Sequence, residues 1–201
     1  MKTVKKYKIA RRLGAHVFEK TQTAKFADSL NRRSKKGAKR PKPLSGYAEQ
    51  MYEKQRIRFS YGVSEKQFSN YVKVSTKTRG VIPAEMLASQ LESRLDNVVY
   101  RLGFAPTRRM ARQMASHGHF CVNGVRTTVP SYALKEGDEI TVRAGSKGSV
   151  MFLDMANKVK DASIAPWLSL SVDSLSGKVK GKPKMVDSGF DFNKVIEFYS
   201  R

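Results

Sequence analysis

The stretch Arg94-Leu95-Asp96-Asn97-Val98-Val99-Tyr100-Arg101-Leu102-Gly103-Phe104-Ala105-Pro106-Thr107-Arg108-Arg109-Met110-Ala111-Arg112-Gln113-Met114-Ala115 decides the fold. Leu95, Val98, Val99 and Leu102 recur at the spacing of one helical face, with Ser93 and Asp96 marking the helix start. Gly103 closes that helix and Pro106 forbids its continuation. Thr107 caps a second helix that turns Met110, Ala111, Met114 and Ala115 inward and Arg108, Arg109, Arg112 and Gln113 outward, until Gly118 stops it. Phe120-Cys121-Val122, Asn123-Gly124 and Val125 then read as strand, type I′ turn and strand. The turn Glu136-Gly137-Asp138 leads into another strand, Glu139 to Arg143. Two helices packed on an antiparallel sheet are the outcome.

Upstream, Ser45 caps a helix reaching about Tyr61, with Tyr47, Ala48, Met51, Tyr52 and Phe59 toward one side and Lys54, Arg56 and Arg58 along its exposed surface. Ser64, with Gln67 three residues on, opens a second helix whose core stripe is Phe68, Tyr71 and Val72, and Gly80 stops it. Pro83 suits the first position of a third helix through Met86, Leu87 and Leu91. The aromatic residues fall at helical spacing, so they read as the core of a small bundle rather than as a base-stacking platform. Downstream, Val150, Leu153, Ala156 and Val159 suggest a further helix, Leu168, Leu170 and Val172 alternate as a strand, and a second strand runs from Gly177 to Lys180. Asn193 to Tyr199 are apolar enough for a closing helix or strand, which periodicity alone does not separate.

Charge sets the class of partner. The 201 residues hold 39 Lys plus Arg against 17 Asp plus Glu, a net +22. Residues 1–42 contribute 15 of those cations and only two acids, Glu19 and Asp28. Such an excess repels itself until a polyanion neutralises it, and nucleic acid does so while releasing counterions. The run from Arg32 to Pro43 has no apolar periodicity, so alone it should be disordered, and it reads as an arm that orders along phosphates. Lys2, Lys5, Lys6 and Lys8 favour Lys over the Arg and Ser of a transit peptide. No apolar run approaches the roughly 20 residues of a spanning helix, and the start lacks a signal-peptide core, so no membrane partner is expected.

Sharper chemistries fare poorly. Cys121 is a lone thiol, which makes neither an internal disulfide nor a four-cysteine zinc site. His117, His119 and Cys121 alternate, but they are only three and Gly118 interrupts them. The easier reading puts His117 at a helix C-terminus, His119 beside RNA and Cys121 in the core. No nucleophile elbow, Walker loop or zincin pattern is present and the carboxylates are scattered, so no enzyme, cofactor, metal or small-molecule substrate is expected. Two helices joined by a glycine turn also describe a DNA-binding helix-turn-helix. Three arginines within five positions clamp phosphates rather than read base edges, however, and RNA shape recognition fits better.

The segment Arg94 to Phe104, with Thr107-Arg108, Ala111-Arg112-Gln113, His117-Gly118-His119 and Val122-Asn123-Gly124, resembles the signature of bacterial-type small-subunit ribosomal protein four. Glu53-Lys54-Gln55, Tyr61-Gly62-Val63, Gln67-Phe68, Asn70-Tyr71, Trp167-Leu168 and Glu197-Phe198-Tyr199-Ser200 extend the resemblance over most of residues 45–201. It implies an α+β protein: a basic N-terminal extension (1–43), a helical domain (44–92, completed by 186–201), and an inserted RNA-binding domain (93–185) with its two-helix-plus-hairpin module at 94–143. It further implies early binding to small-subunit rRNA of the 16S type at a multi-helix junction, organisation of subunit assembly, contact with neighbouring small-subunit proteins three and five near the path by which mRNA enters, and influence on decoding accuracy. Some members hold an N-terminal zinc through four cysteines; with none here, zinc should be absent, and the arm would be ordered by RNA and by packing of residues such as Val17 and Phe26. Charge and resemblance together give an expected RNA-binding set: Lys5, Lys6, Lys8, Arg11, Arg12, Arg32, Arg33, Lys35, Lys36, Lys39, Arg40, Lys54, Arg56, Arg58, Lys73, Arg94, Asn97, Arg101, Thr107, Arg108, Arg109, Arg112, Gln113, His117, His119, Asn123 and Lys182. The competing reading is a non-ribosomal RNA-binding factor that uses the same module on stalled subunits; high salt would wash it off.

Overall fold

The computed structural model describes residues 5–35, 43–152, 155, 164–183 and 189–200. Contacts divide the chain into two compact units, Met1–Ala84 with Asp187–Arg201, and Glu85–Val186. The chain therefore leaves the first unit, builds the second, and returns to close the first. The helix Pro83–Glu92 begins in one unit and lies mostly in the other, so this division falls several residues before the boundary at 92/93 read from the sequence.

The first unit contains α1 (Lys6–Leu13), single turns at Ala15–Val17 and Glu19–Thr21, α2 (Ala24–Lys35), α3 (Gly46–Ser60) and α4 (Glu65–Lys77). Residues 5–35 are thus folded, which corrects the picture of one basic extension. Sparse apolar residues suffice: Ala10, Leu13, Val17 and Phe26 are buried, and the exposed lysines and arginines stay in water. Arg32 lies on α2; residues 36–42 of the expected arm lie outside the described residues.

Helix α3 has the expected cap, with Ser45 Oγ accepting from the Ala48 amide, but its buried face differs. Gln50, Glu53, Lys54, Ile57 and Ser60 are buried, while Tyr47 is half exposed and lies against Phe198 at 5.5 Å. Apolar periodicity misplaced the face because the element packed there brings polar partners of its own. That element is the last helix, Phe192–Tyr199, with Phe192 and Val195 buried. Gln50 donates to Glu197 (2.9 Å), and Glu53 accepts from the amide of Asp191, the helix cap (3.1 Å). α4 follows the sequence reading, with Ser64 capping through the Gln67 amide and Phe68 and Val72 buried.

In the second unit α5 (Pro83–Glu92) buries Leu87, Ala88 and Leu91. α6 (Leu95–Arg101) buries Leu95, Val98 and Val99, and α7 (Arg108–Ser116) buries Ala111, Met114 and Ala115. The start of α6 differs from expectation. Arg94 is its cap position and offers no side-chain acceptor; the carbonyls of Pro130 and Tyr132 accept from the amides of Asp96 and Leu95 (3.0 and 2.9 Å). A returning loop thus satisfies the free first-turn amides, and Ser93 bonds back to Ser89 instead.

Among the described residues five antiparallel strands follow: β1 (Phe120–Val122), β2 (Val125–Arg126), β3 (Glu139–Val142), β4 (Leu168–Ser171) and β5 (Ser176–Val179), in the order β2-β1-β3-β5-β4. Asn123 and Gly124 both have positive φ, 50° and 80°, as the tight hairpin demands. Phe120, Val122, Ile140, Val142, Leu168 and Val179 join Leu95, Val98, Val99, Leu102, Ala111 and Met114 in one core. One sheet face is thereby covered by α6 and α7. By alternation His119, Cys121, Thr141 and Arg143 belong to the other face, and Cys121 is half-buried there rather than in the core. A four-residue helix, α8 (Ala144–Lys147), follows β3, and the closing helix Phe192–Tyr199 is α9. Of the further helix read from Val150 to Val159, Leu153, Ala156 and Val159 lie outside the described residues, and Val150 is exposed in a turn.

Candidate nucleic-acid interface

The exposed side of α7 is built from α6 outward. Arg94 is 1% exposed and grips Asp96 with two bonds, Nε to Oδ1 at 2.9 Å and Nη2 to Oδ2 at 2.6 Å. Arg112 reaches the same carboxylate at 3.6 Å. Beside it, Glu92 holds Arg101 with two bonds (3.1 and 2.8 Å) and receives the amide of Asn97 (2.8 Å). Asn97 in turn accepts from Arg108 Nε at 2.9 Å, and the Arg108 guanidinium lies over the Tyr100 ring at 4.5 Å. Buried groups on α6 therefore fix two arginines of α7 in position, with Arg109 exposed between them.

The first turn of α7 contains no acid and holds Arg108 and Arg109 instead. Cations at the positive end of a helix are unfavourable by about 0.3–1 kcal/mol each. The Thr107 cap, accepting from the Met110 amide, offsets part of this. Local rules are broken in this way at functional or strained sites.

A second group of cations gathers on the other face of the sheet. The Arg126 guanidinium lies over Gly118 and donates to the His117 carbonyl at 3.3 Å. His119 Nδ1 is 3.0 Å from Ser146 Oγ, and its ring lies 6.1 Å from that of His117. Burial first, then the charges of His117, Arg143 and Arg126, hold the His119 imidazole below its ordinary pKa. Arg126, Arg143 and Lys147 were absent from the expected set. The alternation of Glu139 to Arg143 and the pairing of Cys121 with Arg126 would have found the first two.

Residues 93–140 match the family model of the S4 domain, and residues 2–92 match that of the ribosomal protein S4/S9 N-terminal domain. A small ribosomal subunit protein uS4 from Chloroflexus aurantiacus is 42% identical over 203 residues, covering 96% of this chain and 96% of its own. The chain belongs to the uS4 family. The uS4 protein of Thermus thermophilus is 46% identical over 167 residues, 82% of this chain and 79% of its own, and that of Dehalococcoides mccartyi is 45% identical over 164 residues, 81% and 79%. A uS4 family chain is a ribosomal protein and not an enzyme.

Several residues expected at the surface of this uS4 family member are internal. Arg94 and Asn97 are 1% and 2% exposed, where no ligand reaches them, and they position α7 instead. Arg101 is turned toward Glu92. Lys54 is buried against Glu65 (2.7 Å) and the Phe198 ring (4.4 Å), Arg56 pairs with Glu53 (2.8 Å), and Arg58 lies over Phe59 (4.3 Å) within 3.3 Å of Glu65. The exposed surface read for α3 is therefore corrected, because acids on α3 and α4 draw these cations in. Thr107 is a cap, and Asn123, though exposed, donates to Asp138 (2.8 Å) and accepts from the Glu139 amide (2.9 Å). Lys5, Lys8, Arg11, Arg12, Arg32, Lys73, Arg109, Gln113, His117 and Lys182 are exposed; Lys6, Arg108, Arg112 and His119 are half-buried. Arg33 and Lys35 fall in the last turn of α2, and Lys36, Lys39 and Arg40 lie outside the described residues. Among the described residues no helix is long and apolar enough to cross a membrane.

Proposed function

We propose that this chain binds small-subunit rRNA directly, and that Arg108, Arg109 and Arg112 on α7 contact its phosphates. The observation that carries this reading is the anchoring of Arg108 and Arg112 by Asn97 and Asp96 at a helix terminus already positive. Guanidiniums held in place lose little freedom when they meet phosphate, and their fork geometry suits it. Gln113, His117 and Lys182 complete the exposed contacts of this unit, and Lys5, Lys8, Arg11, Arg12, Arg32 and Lys73 those of the other. The reading extends to a cytoplasmic subunit, to nucleating assembly of its body, to contacts with small-subunit proteins three and five and with mRNA where it enters, and through them to decoding accuracy. Family membership and the resemblance of the Arg94–Gly124 string support these finer roles.

Salt dependence of rRNA binding tests the phosphate contacts. Replacing Arg109 by Gln should lower the slope of log affinity against log salt by roughly 0.7–0.9. Replacing Arg108, Arg109 and Arg112 together by Ala should lower it about threefold as much, with some loss of stability because Asn97 and Asp96 lose partners. An unchanged slope in both variants would remove α7 from the interface.

A further inference from the structure

We propose that the sheet face turned away from α6 and α7 is a second contact surface for the RNA sugar–phosphate backbone, centred on Arg143 and Lys147. It rests on the reading that the chain binds rRNA, but it uses different residues on the opposite side of the sheet. A depression of about 410 Å³ lies there. Arg143 and Lys147 supply its charge, and Thr141, Ser174 and Ser176 supply hydroxyls.

The polar groups are poised but incompletely used. Arg143 Nε is buried without a hydrogen-bond partner among the described residues. Lys147 Nζ makes one long bond, to the Ser174 carbonyl at 3.3 Å, which leaves ammonium protons for a ligand. Ser174 and Ser176 share one hydrogen bond at 2.7 Å, so at least one hydroxyl has capacity left. A guanidinium, an ammonium and hydroxyls around one hollow are the donors a phosphodiester needs.

Charge beyond the hollow points the same way. Burial is the main cause that lowers His119's affinity for a proton, but the charges of His117, Arg143 and Arg126 add to it, so the field there favours an anion. Glu139 also lines the hollow and opposes an anion, but Lys178 faces it directly across β3 and β5. The described lining holds no aromatic side chain, which argues against base stacking, and its two cations argue for an anionic partner. A module with cations on α7 and on the opposite sheet face would lie between two RNA segments and hold them together.

The test uses the full chain and small-subunit rRNA, comparing Arg143→Gln/Lys147→Gln with Arg109→Gln by salt titration and hydroxyl-radical footprinting. The double variant should lower the salt slope by roughly 1.4–1.8. It should also lose protection of an RNA segment that Arg109→Gln still protects, while Arg109→Gln loses a different one. A double variant with the native slope and footprint overturns the second surface, and leaves the α7 reading standing if Arg109→Gln is impaired. Loss of one shared segment by both variants also overturns it, since the contact would then be single. So does weakened association with subunits at an unchanged rRNA slope, which would assign the hollow to an acidic protein. If the double variant melts early, the exposed Lys147→Glu alone should still lower the slope by at least about 0.7–0.9; a native slope there overturns the proposal.

Discussion

Asp96 is buried between two arginines, and its removal takes a carboxylate from both. Arg94 is 1% exposed and its two bonds to Asp96 would vanish in Asp96→Ala. Breaking a buried pair from one side costs about 3–5 kcal/mol, because a buried guanidinium loses its counter-charge. Chemical denaturation should show that loss in the second unit, and a native midpoint would mean that Arg94 is compensated elsewhere. Glu65 gives a pH prediction for the first unit. Burial pushes its carboxyl up, but hydrogen bonds from Lys54 and Tyr199 and the charges of Lys54 and Arg58 outweigh this and hold it below the ordinary carboxylate range. The folded carboxyl therefore binds a proton less readily than the unfolded one. Its contribution is complete above the ordinary range and is lost as pH falls from there through the lowered folded value. With the side chain about half exposed, the effect should stay below about 1 kcal/mol. Glu65→Gln should flatten the acid limb of stability, and an unaltered limb would contradict the assignment.

Among the elements, β5 approaches the C-terminal cap of α6 closely. A side chain at Gly177 would run into Leu102, which is fully buried. Gly177→Val should cost about 1–3 kcal/mol by overpacking. Adding Leu102→Ala should restore part of it, and additive losses in the double-mutant cycle would rule out the clash. The apolar stripes of α6 and α7 and the Asn123-Gly124 turn were legible in the sequence, because period and turn chemistry are local. The face of α3 was not. Gln50, Glu53 and Lys54 are buried by partners more than ten residues away in sequence, and a charge carries no sign of whether a distant acid will claim it. Arg94 and Asn97 are buried by acids close in sequence, Asp96 and Glu92, whose pairing the helical period does not reveal, while Arg109 is exposed as helix phase alone predicts.

At the scale of the molecule, the chain carries a net +22, and the cations of residues 5–32 sit on a folded part of the first unit. The first unit is completed only when α9 buries Phe192 and Val195. Phe192→Ala should therefore destabilise that unit by about 3–5 kcal/mol, read as faster hydrogen exchange in α3 and α4; unchanged exchange there would contradict the closure. The need for a polyanion was legible from composition. Which cations remain outside was not, since pairing removes Lys54, Arg56 and Arg94 from the available surface. The central claim is that the remaining cations, held on rigid elements, fit folded small-subunit rRNA rather than any anion. It is tested most directly by competition, titrating the protein–rRNA complex with unrelated RNA of equal length at moderate ionic strength. The fixed arginines predict that the rRNA is retained against a large excess of competitor; equal displacement by the unrelated RNA would contradict the account.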